Sequence, residues 1–272
     1  MLDVERIEDI EVLTINRPQA GNSINSNLTS ALIENLERLH QDDNLHALII
    51  TGNGDKFFCT GGDVKEYREI ESSENLNYHF DRTRKAMDLI ETLKCPVISA
   101  INGYALGGGA ELILCTDYRI AENHSEIGWP QSQLGIIPAW NGIDRLVRDC
   151  GPRVASNLLM TGKRISAEAA EKFRIIDIVV EPGTSMEFAL EHAHALKKSA
   201  PKALRATKEI LAATSKYSYD EVRQKQHAIF PGLWFSEDHK EAEAAFAEKR
   251  APIFKNKYMA RKKGLLNTIP FY

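Results

Sequence analysis

Two glycine-rich stretches, FCTGGD at residues 58–63 and LGGGAEL at residues 106–112, decide the fold of this 272-residue chain. The glycines of each stretch come after a predicted β-strand, residues 57–59 in the first case and 97–101 in the second. Glycine allows positive φ and lets a ligand approach the main chain closely. Neither stretch has the GxGxxG spacing or the Gly-Lys-Ser/Thr ending of a phosphate loop. The sequence therefore argues against a dinucleotide or nucleoside-triphosphate site.

The second stretch also predicts the start of a helix near Gly107. The N–H of Gly108 would then be an unpaired first-turn donor at the positive end of the helix dipole, where a developing oxyanion is favoured. Glu111 follows three residues later and projects from the same face of the helix. A carboxylate beside such a donor suits proton transfer next to a carbonyl group. Taken alone, these residues also fit a simple tight turn followed by a first-turn acid.

Strand-like and helix-like segments alternate around these stretches. Strands are predicted at residues 12–15, 47–50, 57–59, 97–101 and 118–121. Helices are predicted where Leu28, Leu32, Leu36 and Leu39 recur at helical spacing, and over residues 75–93. This alternation predicts an α/β core with crossover connections. The later part of the chain is mostly helical, so we predict a core at residues 1–200 and a helical C-terminal region at residues 201–272.

Composition narrows the class of protein. The formal net charge of -4 argues against a general nucleic-acid surface, and no apolar run approaches the roughly 20 residues of a membrane helix. The N-terminus lacks the features of a signal peptide. The four cysteines form no CxxC pair, which predicts buried reduced thiols and a cytoplasmic protein. His192 and His194 face different sides of a predicted helix, so we predict no metal site.

Several pieces of the sequence together resemble the crotonase superfamily, the enoyl-CoA hydratase/isomerase family. The two glycine-rich stretches, extended to residues 58–66 and 103–112, are similar to its two signatures. The other matching pieces are Asn16-Arg17-Pro18, LGIIP at 134–138, Thr161-Gly162 and FAEKRAP at 246–252. They occur in the family's order from about residue 5 to residue 255. This combination of motifs is highly specific.

The resemblance implies a fold and an oxyanion hole. The family's fold is a spiral of ββα turns with a C-terminal helical region that trimerises, so a homotrimer or a hexamer is expected. The N–H groups of Gly62 and Gly108 are expected to bind the oxygen of an acyl-CoA thioester and to stabilise its enolate. Glu111 matches the first of the two glutamates that the family's hydratases use for catalysis.

The resemblance also implies where the substrate binds. Coenzyme A, as the carrier part of the substrate, is expected over the loop after Arg17 and the turn from Thr60 through Gly61 to Gly62. Gly107 would line the substrate site beside Gly108, and Lys249 would reach a phosphate of the coenzyme. No separate cofactor is expected. Trp140 could line the acyl pocket or fill the core.

One position departs from the family pattern. The family's second glutamate follows a proline, and here the segment reads WPQSQLG at residues 129–135, so Gln131 takes its place. Glutamine can hold a water or a hydroxyl group but has no proton to exchange. Glu111 alone would then carry the proton transfer, as in hydration through one water or in double-bond isomerisation. The alternatives are an acyl-CoA hydrolase, a decarboxylase or a catalytically weak CoA-binding protein. Nearby, Asp144 is predicted to pair with Arg145 or Arg148.

Overall fold

A computed structural model of the chain describes residues 1–254, and residues 255–272 of the predicted C-terminal region lie outside that part. The strands are β1 (Leu2–Ile7), β2 (Ile10–Ile15), β3 (Ala47–Gly52), β4 (Phe57–Cys59), β5 (Val97–Ile101), β6 (Tyr104–Leu106), β7 (Tyr118–Glu122), β8 (Glu126–Gly128), β9 (Arg164–Ser166) and β10 (Ile178–Val180). The helices are α1 (Ser26–His40), α2 (Val64–Tyr67), α3 (Ser73–Glu91), α4 (Gly108–Ile113), α5 (Gly142–Thr161), α6 (Ala167–Lys172), α7 (Ser185–Leu196), α8 (Pro201–Ala213), α9 (Tyr219–Trp234) and α10 (Glu237–Ala247).

The strands form two sheets. The larger has the order β1-β2-β3-β5-β7-β10, with β1 antiparallel to β2 and the other neighbours parallel. The smaller has the order β4-β6-β8-β9, with β9 antiparallel to β8. Successive pairs β3–β4, β5–β6 and β7–β8 each give one strand to each sheet before the chain turns into a helix. The predicted spiral of ββα turns is confirmed.

The helix α1 shows how the sequence builds the core. Its side chains Leu28, Leu32, Leu36 and Leu39 are all buried, as their helical spacing predicts. Asn25 caps the helix by accepting a hydrogen bond from the Leu28 amide at 3.0 Å. Full burial of such a leucine contributes about 1.5–3 kcal/mol. These leucines share one hydrophobic core with Met87 of α3 and Ile50 of β3, so the packing joins α1, α3 and the larger sheet.

Some elements were not predicted, and each omission has a physical reason. The strands β6, β8 and β9 have three residues each, too few to show an alternating pattern. The central residues of β1 are exposed and mostly charged, so β1 lacks a hydrophobic face. The helices α8–α10 confirm that the chain is helical after residue 200, while the domain boundary at that point stays a prediction.

Composition led to expectations about the cysteines and about membrane-spanning helices. All four cysteines are free; Cys59, Cys95 and Cys115 are buried, as predicted, whereas Cys150 is only half-buried. The cytoplasmic location that we inferred from them stays a prediction. In residues 1–254, no helix combines the length and the apolar character that crossing a membrane requires.

Candidate active site

The two glycine turns lie against each other because β4 and β6 are neighbours in the smaller sheet, with Cys59 opposite Ala105. A Cβ atom on Gly61 would lie only 2.7 Å from the Gly108 nitrogen, and Gly61 has a φ of +97°. A side chain at this position would therefore push the two turns apart and strain the backbone. The absence of a side chain at residue 61 lets the two turns meet through their main chains.

The two predicted oxyanion donors are not used by the fold. The Ile24 amide donates to the Gly61 carbonyl at 2.7 Å, and the Asp63 amide donates to the Ile24 carbonyl at 3.0 Å. These two hydrogen bonds involve the residues on either side of Gly62, and the Gly62 amide takes no part in them. Gly108 is the first residue of α4, where an amide has no carbonyl one turn earlier to bind. Within residues 1–254, no protein acceptor binds either amide.

Aromatic rings pack against both glycines. A Cβ atom on Gly62 would lie 2.2 Å from the Tyr67 ring, and one on Gly108 would lie 2.2 Å from the Trp140 ring. Trp140 is 2% exposed, so it belongs to the core and also borders the predicted site. Burial raises the pKa of Tyr67 to about 12, which keeps its phenol protonated. The rings thus make apolar walls beside the two free amides.

Glu111 is buried in the same place, with 2% exposure. Its Oε2 atom accepts hydrogen bonds from the Trp140 amide at 2.8 Å and the Gly142 amide at 2.9 Å. Its Oε1 atom accepts longer bonds, from Gln131 Nε2 at 3.2 Å and the Ala139 amide at 3.3 Å. Burial raises the pKa of Glu111 to about 7, although the amide donors lower it. A carboxyl group with this pKa exchanges protons readily at neutral pH.

Gln131 lies between Glu111 and the second glycine turn. Its Nε2 atom donates to Glu111, and a Cβ atom on Gly107 would lie 3.8 Å from the same nitrogen. The Oε1 atom of Gln131 is buried and has no hydrogen-bond partner in residues 1–254. A buried acceptor without a partner is costly unless a ligand or water donates to it. The structure therefore brings Gln131, Glu111, Gly107 and Gly108 together, as the sequence predicted.

Thr60 and Arg17 hold the loop that was expected to bind coenzyme A. The amide and Oγ1 of Thr60 both donate to the Gly21 carbonyl, at 3.1 and 3.0 Å. Arg17 Nη2 pairs with Asp63 at 2.8 Å, and Arg17 Nη1 donates to the Ser23 carbonyl at 2.6 Å. Both residues thus have internal partners that order the loop beside the first turn. Contact of either with the coenzyme stays a prediction.

Lys249 lies just after α10, in the left-handed region with a φ of +56°. No carboxylate in residues 1–254 pairs with it, whereas its neighbour Arg250 pairs with Glu241 and Glu248. Its predicted contact with a coenzyme phosphate stays a prediction. The ring of His192 on α7 stacks on Tyr118 at 3.9 Å between centroids.

The predicted pairing of Asp144 with Arg145 or Arg148 is wrong. Arg145 is 3% exposed, and its Nη2 atom lies 2.9 Å from Asp88 and 2.8 Å from Glu91. Arg148 also pairs with Glu91, at 2.6 Å. Both partners come from α3, which is far from α5 in sequence but packs beside its first turn. No pattern in the sequence of α5 indicates partners on another helix.

Arg145 and Arg84 are residues of the site that sequence reasoning missed. Arg145 Nη1 donates to the carbonyls of Trp140 and Asn141, at 2.8 and 3.1 Å. Arg84, on α3, donates from Nη1 to the Ala139 carbonyl at 3.0 Å. The loop of residues 139–142 thus directs carbonyls to two guanidinium groups and amides to Glu111.

Known proteins of similar sequence match almost the whole chain. The family model described as Enoyl-CoA hydratase/isomerase matches residues 5–257. The chain is 33% identical to the 2,3-dehydroadipyl-CoA hydratase of Escherichia coli, over 94% of this chain and 99% of the relative. It is 36% identical to the carnitinyl-CoA dehydratase of Salmonella typhi, over 94% of this chain and 98% of the relative.

A solved structure also matches this chain over almost its whole length. The crystal structure of an enoyl-CoA hydratase from Bacillus anthracis superimposes with a TM-score of 0.90 at 33% identity. The match covers 93% of this chain and 98% of the other chain. The resemblance to this family inferred from the glycine turns is confirmed for both sequence and fold.

Proposed function

Because the chain belongs to the enoyl-CoA hydratase/isomerase family, whose members act on acyl-CoA thioesters, we propose that it adds water reversibly to the α,β double bond of an enoyl-CoA. The observation that carries this proposal is the arrangement around Glu111. One buried carboxylate with a pKa of about 7 lies beside a glycine turn whose first helical amide has no protein partner. Such a pair can polarise a thioester and move a proton beside it.

The oxyanion hole is the first part of the proposed mechanism. The amides of Gly62 and Gly108 donate hydrogen bonds to the thioester oxygen of the bound substrate. Negative charge develops on this oxygen when water attacks the β-carbon, and the two donors are already in place to receive it. Amides held in place by the backbone need no reorganisation during the reaction, so they stabilise the enolate more than the substrate.

Glu111 carries the proton in the second part. Its Oε1 atom, which has the longer hydrogen bonds, accepts a proton from water as the water oxygen bonds to the β-carbon. The electron pair of the double bond moves to the thioester as an enolate. The protonated carboxyl group then gives its proton to the α-carbon, and the thioester carbonyl and the carboxylate are both restored. One water has been added, so a single carboxylate suffices.

Gln131 has the supporting role in this scheme. With its amide nitrogen directed to Glu111, its Oε1 atom is left as an acceptor inside the site. It accepts a hydrogen bond from the attacking water, or from the β-hydroxyl group in the reverse direction. The glutamine therefore orients the water without exchanging a proton.

Binding of the coenzyme and assembly of subunits complete the proposal. Coenzyme A lies over the loop ordered by Arg17 and Thr60, and Lys249 binds one of its phosphates. The chain forms a homotrimer or a dimer of trimers through the C-terminal helices. Support comes from their large exposed apolar side chains, since soluble proteins cover such patches at interfaces. These side chains are Phe230, Trp234, Phe235 and Phe246.

A mass-spectrometric screen tests the reaction. The purified enzyme is incubated with crotonyl-CoA, 2,3-dehydroadipyl-CoA and carnitinyl-CoA, and the molecular mass of each product is measured. We expect gain of one water by an enoyl-CoA or loss of one water by a hydroxyacyl-CoA. Release of free CoA would replace the proposal with a hydrolase, and loss of carbon dioxide would replace it with a decarboxylase. A shifted double bond without a change of mass would indicate an isomerase.

The raised pKa of Glu111 predicts the pH dependence of the reaction. The carboxylate must be ionised to accept a proton from water, so kcat/KM should rise as the pH rises through about 7. The increase should be about tenfold per pH unit below the pKa and should level off above it. Initial rates of hydration measured from about pH 5.5 to about pH 8.5 provide the test. A profile that is flat across this range would contradict the role given to Glu111.

A further inference from the structure

Two peptide groups of the loop 139–142 each link a guanidinium group to Glu111. In the first, the Ala139 carbonyl accepts from Arg84 Nη1 at 3.0 Å, and the attached Trp140 amide donates to Glu111 Oε2 at 2.8 Å. A carbonyl and the amide bonded to it belong to one planar unit with opposed directions. Arg84 and Glu111 therefore bind opposite ends of a single peptide dipole.

The second link has the same construction. The Asn141 carbonyl accepts from Arg145 Nη1 at 3.1 Å, and the attached Gly142 amide donates to Glu111 Oε2 at 2.9 Å. Both links end on the same carboxylate oxygen. The helix α5 begins at Gly142, and its cap residue Asn141 makes no side-chain capping bond, so the carboxylate of Glu111 takes that place.

We propose that Arg84 and Arg145 are positioning residues that orient these two peptide groups toward Glu111 and so favour its charged form. A hydrogen bond at the carbonyl end of a peptide polarises it and strengthens the bond that its N–H donates. It also fixes the plane of the peptide, so that the amide stays directed at the carboxylate. The proposal does not require either arginine to contact the substrate.

The charges around Glu111 are consistent with this role. Burial raises the pKa of Glu111, whereas the amide donors and, from α5, the charge of Arg145 lower it. From the end of α4, the Cys115 thiol donates to the Glu111 carbonyl, and burial raises its pKa to about 12, so it stays neutral. Gln131 is uncharged. The carboxylates of α3 pair with the arginines themselves: Asp81 with Arg84, and Asp88 and Glu91 with Arg145.

The variant Arg84→Gln tests the proposal with little risk to folding, because the Arg84 side chain is 29% exposed whereas Arg145 is buried. Loss of the guanidinium weakens the Trp140 amide as a donor, so the pKa of Glu111 should rise. A rise of about half a unit would lower kcat/KM about threefold below pH 7 and leave the rate at high pH unchanged. Arg84→Lys, which keeps the charge, should restore part of the difference.

Arg82→Gln is the matched control, since Arg82 lies on the same helix and donates to Ser30 Oγ at 2.7 Å. It should keep the wild-type pH profile. A merely structural role of Arg84 would lower the rate equally at all pH values and leave the kinetic pKa unchanged. That result would overturn the proposal.

The kinetic test rests on the proposed function, so a second readout works without substrate. Infrared difference spectra recorded against pH follow the protonated carboxyl band of Glu111, assigned by its loss in Glu111→Gln. The midpoint should lie higher in Arg84→Gln than in the wild type and Arg82→Gln. Equal midpoints in all three proteins would refute the proposal even if the enzyme is a hydratase. A shifted midpoint without hydratase activity would leave the arginine links valid and refute the proposed reaction.

Discussion

The Glu111→Gln variant should hydrate enoyl-CoA about 10²–10⁴-fold more slowly than the wild type, because it removes the only group in the scheme that carries a proton. The effect should fall on kcat, since the amides of Gly62 and Gly108 remain to bind the thioester. The rate should also lose its dependence on pH near 7. Steady-state kinetics with the best substrate of the screen measure all three effects.

Glu122→Gln is the control for loss of a buried carboxylate. Glu122 is also buried and accepts hydrogen bonds from the amide and Oγ of Ser185, the first residue of α7, at 3.3 and 2.8 Å. Each glutamine would replace a buried charged acceptor with a neutral amide, which weakens the hydrogen bonds that it accepts, at a cost of about 1–3 kcal/mol in stability. The two variants should therefore unfold at similar urea concentrations while only Glu111→Gln loses activity. Equal losses of activity would contradict the assignment of Glu111.

The Gly108→Ala variant should lower kcat by about 10²–10³-fold, the effect of losing one oxyanion donor. The new Cβ atom would lie 2.2 Å from the Trp140 ring, which is buried and has little room to move. The turn must then shift, which moves the Gly108 amide away from the thioester oxygen. Steady-state kinetics and a circular dichroism spectrum together separate this effect from unfolding.

A second substitution makes the cause specific. Adding Trp140→Leu to Gly108→Ala makes room for the new methyl group, so part of the lost kcat should return. A Gly108→Ala enzyme with wild-type kcat would show that the position of this amide does not matter.

The sequence was sufficient to predict the parts of the site that depend on neighbours along the chain. Gly61 and Gly109 occur where only a glycine allows the close approach of the two turns, because a Cβ atom would meet the Gly108 nitrogen in the first case and the Cys59 carbonyl in the second. Glu111 follows Gly108 within one helical turn, and its position relative to the amide is fixed by helix geometry. Gln131 could be assigned because the proline before it and the motif after it fix its place.

The parts that could not be predicted depend on contacts across elements. Arg84 reaches Ala139 from another helix, and Arg145 finds its acidic partners on that same helix rather than at Asp144. Tyr67 packs against Gly62 although nothing in its local sequence distinguishes it from a surface residue. The contacts of Arg84 and Arg145 follow from how α3 packs against the loop 139–142 and the start of α5. No periodicity or motif in one segment reports them.

A crystal structure with butyryl-CoA, a saturated thioester that cannot be hydrated, tests the central claim most directly. The thioester oxygen should lie about 2.7–3.1 Å from the nitrogens of both Gly62 and Gly108, with its β-carbon facing Glu111 and Gln131. A bound thioester whose oxygen lies away from these two amides, or is held by other donors, would contradict the account.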